Sequence, residues 1–178
     1  YESSLKIREE LSDKAGVGHT LGNIGLVHQN KGEYDTALDY YERALKIKEE
    51  IGDKFGMGIT LSNIGLVHDD KGEYDKALEH YDKSIKIQEE IGDKAGVGNT
   101  LISIGNVHYY KGNYDKTLEY FDRSLKIKEE LGDKAGMAAP LGNIGNIHFY
   151  RGEYDTALEY QDRSLKIEEE IGDKSSME

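Results

Sequence analysis

The stretch Asn23–His28, NIGLVH, returns letter for letter at Asn63–His68, then in altered form as SIGNVH at Ser103–His108 and NIGNIH at Asn143–His148. Aligning the four histidines brings the whole chain into register at a spacing of forty residues. A fixed period of this length marks a repeat architecture, in which one unit is too small to bury its apolar face and gains a core from its neighbours. Residues 15–54, 55–94, 95–134 and 135–174 are then four repeats of a single array spanning 1–178, and residues 1–14 read as the tail of a preceding unit. The chain opens inside a motif, at Tyr1–Ile7, which predicts a fragment cut from a longer array.

Each repeat divides into two helical patterns. Leu21, Ile24, Val27 and His28 share one helical face and predict a first helix over 15–30; Leu38, Tyr41, Ala44 and Leu45 predict a second over 34–51. Gly32 and Gly52 stand where a helix ends in the left-handed conformation, and Asp13, Asp53, Asp93 and Asp133 stand where a side chain caps the next helix. Strand alternation is absent. The one proline, Pro140, falls in the fourth first helix where the other repeats carry Thr20, Thr60 and Thr100, and predicts a kink or a late start there. The expectation is an all-α chain of helix pairs in series.

The succession Ile24-Gly25, His28, Gly32, Tyr34, Ala37, Tyr41, Ala44, repeated as Ile64-Gly65, His68, Gly72, Tyr74, Ala77, Tyr81, Ser84, resembles the tetratricopeptide repeat signature over essentially the whole chain. The forty-residue unit and its GDK connector are similar to the longer variety found in spindle-orientation adaptors and prokaryotic signalling proteins. Two departures are that His replaces the usual Tyr of the first helix and that the second helix lacks its closing Pro. The resemblance implies a right-handed α-solenoid of stacked antiparallel helix pairs. Its physical basis lies in residue size: Gly25 and Ala37 let the two helices cross closely while Tyr34 and Tyr41 fill the space beside them.

Chemistry finds little to work with. There is no cysteine, hence no disulfide, thiolate or cysteine-bound zinc, which fits a cytoplasmic setting. The histidine column cannot converge on one metal, because stacked helices lie about 8–10 Å apart. The glycines at 16, 18 and 22 lack the strand that a phosphate loop needs, and Asp69–Glu73 lacks the ligand spacing of a calcium loop. The pairs Glu49-Glu50, Glu89-Glu90 and Glu129-Glu130 are expected to be solvated and matched to Lys46, Lys86 and Lys126 along the same helix. No nucleophile–base set, cofactor or metal is nominated, and the chain reads as a non-enzyme. Its formal charge of −12, with 35 acidic against 23 basic residues, repels nucleic acid and anionic membranes. No apolar run has the length to span a bilayer.

What remains is recognition of a protein or peptide. The family resemblance implies that first helices line a concave groove. Carried over by motif position, its rows are His19, Ile59, Asn99 and Ala139; then Asn23, Asn63, Ser103 and Asn143; then Leu26, Leu66, Asn106 and Asn146. The far edge carries Gln29/Asn30, Asp69/Asp70, Tyr109/Tyr110 and Phe149/Tyr150. Apart from histidine, residues 15–30 and 55–68 carry no charge, whereas the second helices are dense with it. An asparagine amide offers both a donor and an acceptor, suited to a peptide backbone. The gradient from acidic to aromatic predicts a partner segment with a basic residue near its middle and an apolar anchor towards its C-terminal end. No Lys or Arg stands in these rows, which argues against a clamp for acidic tails. Two other readings are a module that self-associates through uncapped ends, end to end or by exchange, and a regulatory domain of a larger signalling protein.

Overall fold

The computed structural model describes residues 13–175, so the expected remnant over residues 1–14 lies almost wholly outside the described residues. The described residues form eight α-helices and no strand: α1 (Lys14–Asn30), α2 (Tyr34–Ile51), α3 (Lys54–Asp70), α4 (Tyr74–Glu90), α5 (Lys94–Tyr110), α6 (Tyr114–Leu131), α7 (Lys134–Tyr150) and α8 (Tyr154–Ser175). The fold is an α-solenoid of helix pairs. Packing divides the chain into two compact units that meet at Gly96 and Val97. In the first unit α2 lies against both α1 and α3, and α3 against α4; in the second α7 lies against both α6 and α8.

The expected punctuation is in place. Gly52 takes φ 71°, and its amide together with that of Asp53 satisfies the carbonyls of Glu49 and Lys48. Gly32 takes φ 74°, and the amide of Glu33 returns to the His28 carbonyl at 2.9 Å. A side chain would strain either backbone. Asp13, Asp53, Asp93 and Asp133 each accept the amide three residues on, at 2.9 Å.

The first helices are held by packing. Gly25 lies beneath the ring of Tyr41, and a Cβ there would stand 2.9 Å from it; at Gly65 the distance to Tyr81 is 2.7 Å, and at Gly105 to Phe121 it is 2.5 Å. These rings are buried, and burying a large apolar side chain contributes about 1.5–3 kcal/mol, which offsets the poor helix propensity of glycine. Ala37, Ala77 and Thr117 sit fully buried beside them. Where Ala44 gives way to Ser84, Ser124 and Ser164, the buried hydroxyl donates to a first-helix carbonyl, of Gly58 at 2.7 Å, Gly98 at 2.8 Å and Ala138 at 2.9 Å.

Two expectations need correction. α7 runs unbroken from Lys134 to Tyr150 with Pro140 buried inside it, so the late start is absent. In α1 and α3 the equivalent threonine hydroxyls donate to the carbonyls of Gly16 and Gly56, at 2.8 Å each. Proline brings neither an amide N–H nor a hydroxyl to the Gly136 carbonyl, and the helix is held instead by the buried Met137, Leu141, Ile144 and Ile147. The acidic pairs also differ from expectation. Glu50 pairs with Lys14 at 2.9 Å, Glu90 with Lys54 and Glu170 with Lys134, each at 2.5 Å, a constant 36 residues apart. A lysine at the start of each of these first helices ties down the end of its partner helix; Lys46 adds only a lesser, Coulombic pull on Glu50.

Candidate peptide-binding surface

The first unit gathers five of the predicted residues in one place. His19, Asn23 and Leu26 from α1 and Ile59 and Asn63 from α3 line a cleft of 280 Å³. They converge because Gly22 leaves room on the α1 face and because α3 repeats the α1 register. His19 and Ile59 are exposed, Asn23 and Asn63 are half-buried, and these two amides make no hydrogen bond among the described residues. Phe55, with its ring exposed, completes the apolar wall. Leu66 is exposed on α3 outside this cleft, and at the acidic edge Asp70 is exposed and Asp69 half-buried. Asp70 accepts from the Gln29 amide at 3.0 Å, and burial beside the Asp70 charge pushes the Asp69 carboxyl up to about 6.

Two cations were missed by the sequence reading. Lys48 reaches from α2 into the cleft, where its ammonium donates to the Thr60 hydroxyl at 2.8 Å and the Gly56 carbonyl at 3.3 Å. Desolvation lowers its pKa, opposed by the nearby Asp53 carboxylate. The absence of Lys and Arg from the groove rows is therefore no guide to the charge of this surface, because the second helix supplies one. Lys128 is the equivalent in the second unit. It is almost fully buried and donates to Asn99 Oδ1 and Asp133 Oδ2, both at 2.6 Å. The signal was there in principle: a lysine seven residues after a buried aromatic, at the seam with the next helix.

In the second unit several of the predicted residues are engaged by their own neighbours. Asn99 is tied to Lys128, the Ser103 hydroxyl leans on the Asn99 carbonyl at 3.5 Å, and Asn146 Oδ1 accepts from Gln161 at 2.9 Å. Asn106 and Asn143 are half-buried and Ala139 is exposed. The edge is aromatic: Tyr109 and Tyr110 meet edge to face at 5.9 Å, and Phe149 and Tyr150 at 5.8 Å, with Tyr110, Phe149 and Tyr150 all exposed. Asn146 and Phe149 also line a second pocket of 490 Å³ with Tyr154, Ala157, Leu158 and Gln161.

The histidine column packs between the two helices of each repeat. His28 stacks on Tyr40 at 5.3 Å, His68 on His80 at 5.3 Å, His108 on Tyr120 at 5.4 Å and His148 on Tyr160 at 5.6 Å. Glu33, Glu73 and Glu153 each engage a histidine Nδ1, a pairing the sequence reading did not foresee. Lys76 and then His68 draw the Glu73 carboxyl down to about 2. Among the described residues no helix is long and apolar enough to cross a membrane.

No curated protein sequence matches the chain significantly. Solved structures are similar in fold: BtubC (BKLC) from P. vanneervenii at 19% identity and TM-score 0.79, over 89% of this chain and 66% of that one. A signal transduction ATPase with numerous domains and a tetratricopeptide repeat sensor, from Pyrococcus horikoshii, aligns at 20% identity and TM-score 0.82, over 97% of this chain and 27% of that one. Aspartyl phosphate phosphatase F from Bacillus subtilis aligns at 16% and 0.65, over 87% and 50%. The chain thus spans less than two thirds of the length of each of these proteins. The family profile described as tetratricopeptide repeat matches residues 1–50, 56–130 and 96–170. With the forty-residue period, the glycine-under-ring crossings and this match in agreement, the chain belongs to the tetratricopeptide repeat family.

Proposed function

We propose that this array is a non-catalytic, cytoplasmic protein–protein interaction scaffold that holds a peptide segment of a partner against its first helices. The observation that carries the reading is the cleft between α1 and α3. It sets the half-buried amides of Asn23 and Asn63 between apolar Leu26 and Ile59, with His19 at the rim. Small pockets of apolar wall with a few fixed polar groups are the usual form of a ligand site. Paired amides serve a peptide backbone, while the apolar walls choose side chains. The exposed aromatics Tyr110, Phe149 and Tyr150 suit an apolar anchor, and the acidic Asp69 and Asp70 suit a basic residue of the partner.

The test is selection of binding peptides from a random displayed library on the wild-type chain. Each peptide is then titrated against the Asn23→Ala/Asn63→Ala double variant. Loss of two backbone hydrogen bonds weakens binding by about tenfold or more. Peptides that bind both proteins equally would overturn the reading.

A further inference from the structure

Lys48 and Lys128 hold the same position in repeats 1 and 3, and each reaches from its second helix to the start of the next first helix. Their ammonium groups find different partners. Lys128 donates to Asn99 Oδ1 and Asp133 Oδ2, both at 2.6 Å, and is 3% exposed beneath them. One carboxylate balances its charge, and one neutral amide oxygen takes a further donor. Lys48 donates to the Thr60 hydroxyl at 2.8 Å and the Gly56 carbonyl at 3.3 Å. An ammonium carries three donors, so one remains, and Lys48 is only half-buried where it lines the cleft.

The difference traces to two substitutions between the repeats. Pro140 stands where repeat 2 has Thr60, so Lys128 has no hydroxyl to meet on the next helix. His19 stands where repeat 3 has Asn99, and its exposed ring makes no hydrogen bond among the described residues. Repeat 3 thus carries within itself the amide that repeat 1 lacks. The charge beside Lys48 is already matched. Asp53, the counterpart of Asp133, lines the same cleft and accepts the Gly56 amide at 2.9 Å. A carboxylate entering there would set a second negative charge beside Asp53, in a chain of formal charge −12. A carboxamide instead brings an oxygen for the ammonium and an NH2 group for the carboxylate.

We infer that the cleft between α1 and α3 selects an Asn or Gln side chain of the bound peptide, whose amide oxygen takes the remaining donor of Lys48 as Asn99 Oδ1 does on Lys128. The inference rests on the peptide reading above and adds the side chain that this reading leaves open. Asn23 and Asn63 serve the peptide backbone, while Leu26, Phe55 and Ile59 wall the methylenes of the selected side chain. An aliphatic side chain of the same size would cover Lys48 and leave its donor unpaired. An acidic one would meet Asp53. The cleft therefore discriminates by rejecting both kinds of near-isostere, as well as by binding the amide.

The probes are the peptides selected from the random displayed library on the wild-type chain, with each Asn and Gln changed singly to its acid and to Leu. At one position both changes should weaken binding to the wild type by about tenfold or more. On Lys48→Met the same changes should have no effect. His19→Asn supplies the amide from within the chain, so it should weaken the parent peptides by about tenfold or more and raise the thermal midpoint. That rise should vanish in the His19→Asn/Lys48→Met double variant. Acidic peptides that bind as well as the amides overturn the inference, because they make Lys48 a carboxylate site. Peptides in which no Asn or Gln matters overturn it too, as does a His19→Asn variant with unchanged peptide affinity. In these cases loss of binding to Asn23→Ala/Asn63→Ala leaves the peptide reading standing. Peptides indifferent to that double variant, or a library that yields no binder, remove both.

Discussion

The crossing of α3 with α4 and that of α7 with α8 are built on the same backbone plan and held by different chemistry. In the first, Gly65 lies beneath the fully buried ring of Tyr81. In the second, Gly145 lies beneath Gln161, whose amide donates to the Gly142 carbonyl at 3.2 Å and to Asn146 Oδ1 at 2.9 Å. The buried ring seals its crossing from water; the exposed amide suits a crossing that water reaches. The residue directly after the histidine follows suit. Gln29 accepts from the Tyr41 hydroxyl at 3.1 Å, whereas the corresponding Phe149 has no such group to offer Gln161. A crossing can thus keep its geometry while exchanging apolar burial for hydrogen bonds, but the exchange works only where water is near.

Truncation is the sharpest way to break this contrast. Tyr81→Ala empties a sealed crossing and should cost about 3–5 kcal/mol, read as a lowered midpoint in urea. Gln161→Ala, at an exposed site, should cost about 1 kcal/mol or less. Comparable losses would mean that the two crossings are equally sealed. A Cβ added beneath each residue probes the same difference from the other side. Gly105→Ala drives a methyl to 2.5 Å from the Phe121 ring and should destabilise by about 1–3 kcal/mol. Gly145→Ala meets the movable end of Gln161 at 2.9 Å and gains up to about 1 kcal/mol of helix propensity, so thermal unfolding should barely move. A pH-dependent effect belongs to Asp69, the counterpart of neutral Gln29. Its folded pKa of about 6 lies above the ordinary 3.8, so the favourable protonated form is present below pH 4 and lost as pH rises through 6. Asp69→Asn should match the wild type at pH 4 and exceed it at pH 7 by about 1 kcal/mol, allowing for screening at a half-buried site. A difference that grows towards acid would reverse the sign and refute it.

Much of this fold is legible in the sequence because its rules are local. A left-handed glycine marks every turn among the described residues and an aspartate the start of each first helix, to within a residue or two, and the forty-residue register does the rest. Pro140 misleads because propensity is also local, and the apolar burial around α7 outweighs it. The site is less legible. Asn23 and Asn63 could be placed by repeat position, yet Asn99 and Asn146 hold the same kind of position and are engaged by Lys128 and Gln161. Long side chains defeat spacing arguments, since Lys48 and Lys128 extend from one helix to the next and Lys14 reaches Glu50 rather than an acid on its own helix. A helical period of three or four cannot announce a partner 36 residues away.

The constant offset of those ion pairs has a genetic consequence. Lys14 with Glu50 and Lys54 with Glu90 obey one rule of distance along the chain, as do the caps and the glycine turns. Deleting one residue from a helix breaks that rule at every joint it touches. Excising a whole block between two copies of NIGLVH, from Asn23 to the residue before Asn63, breaks none of it. Recombination between such near-identical stretches therefore lengthens or shortens the gene in steps of forty codons, each step leaving a chain whose joints still match.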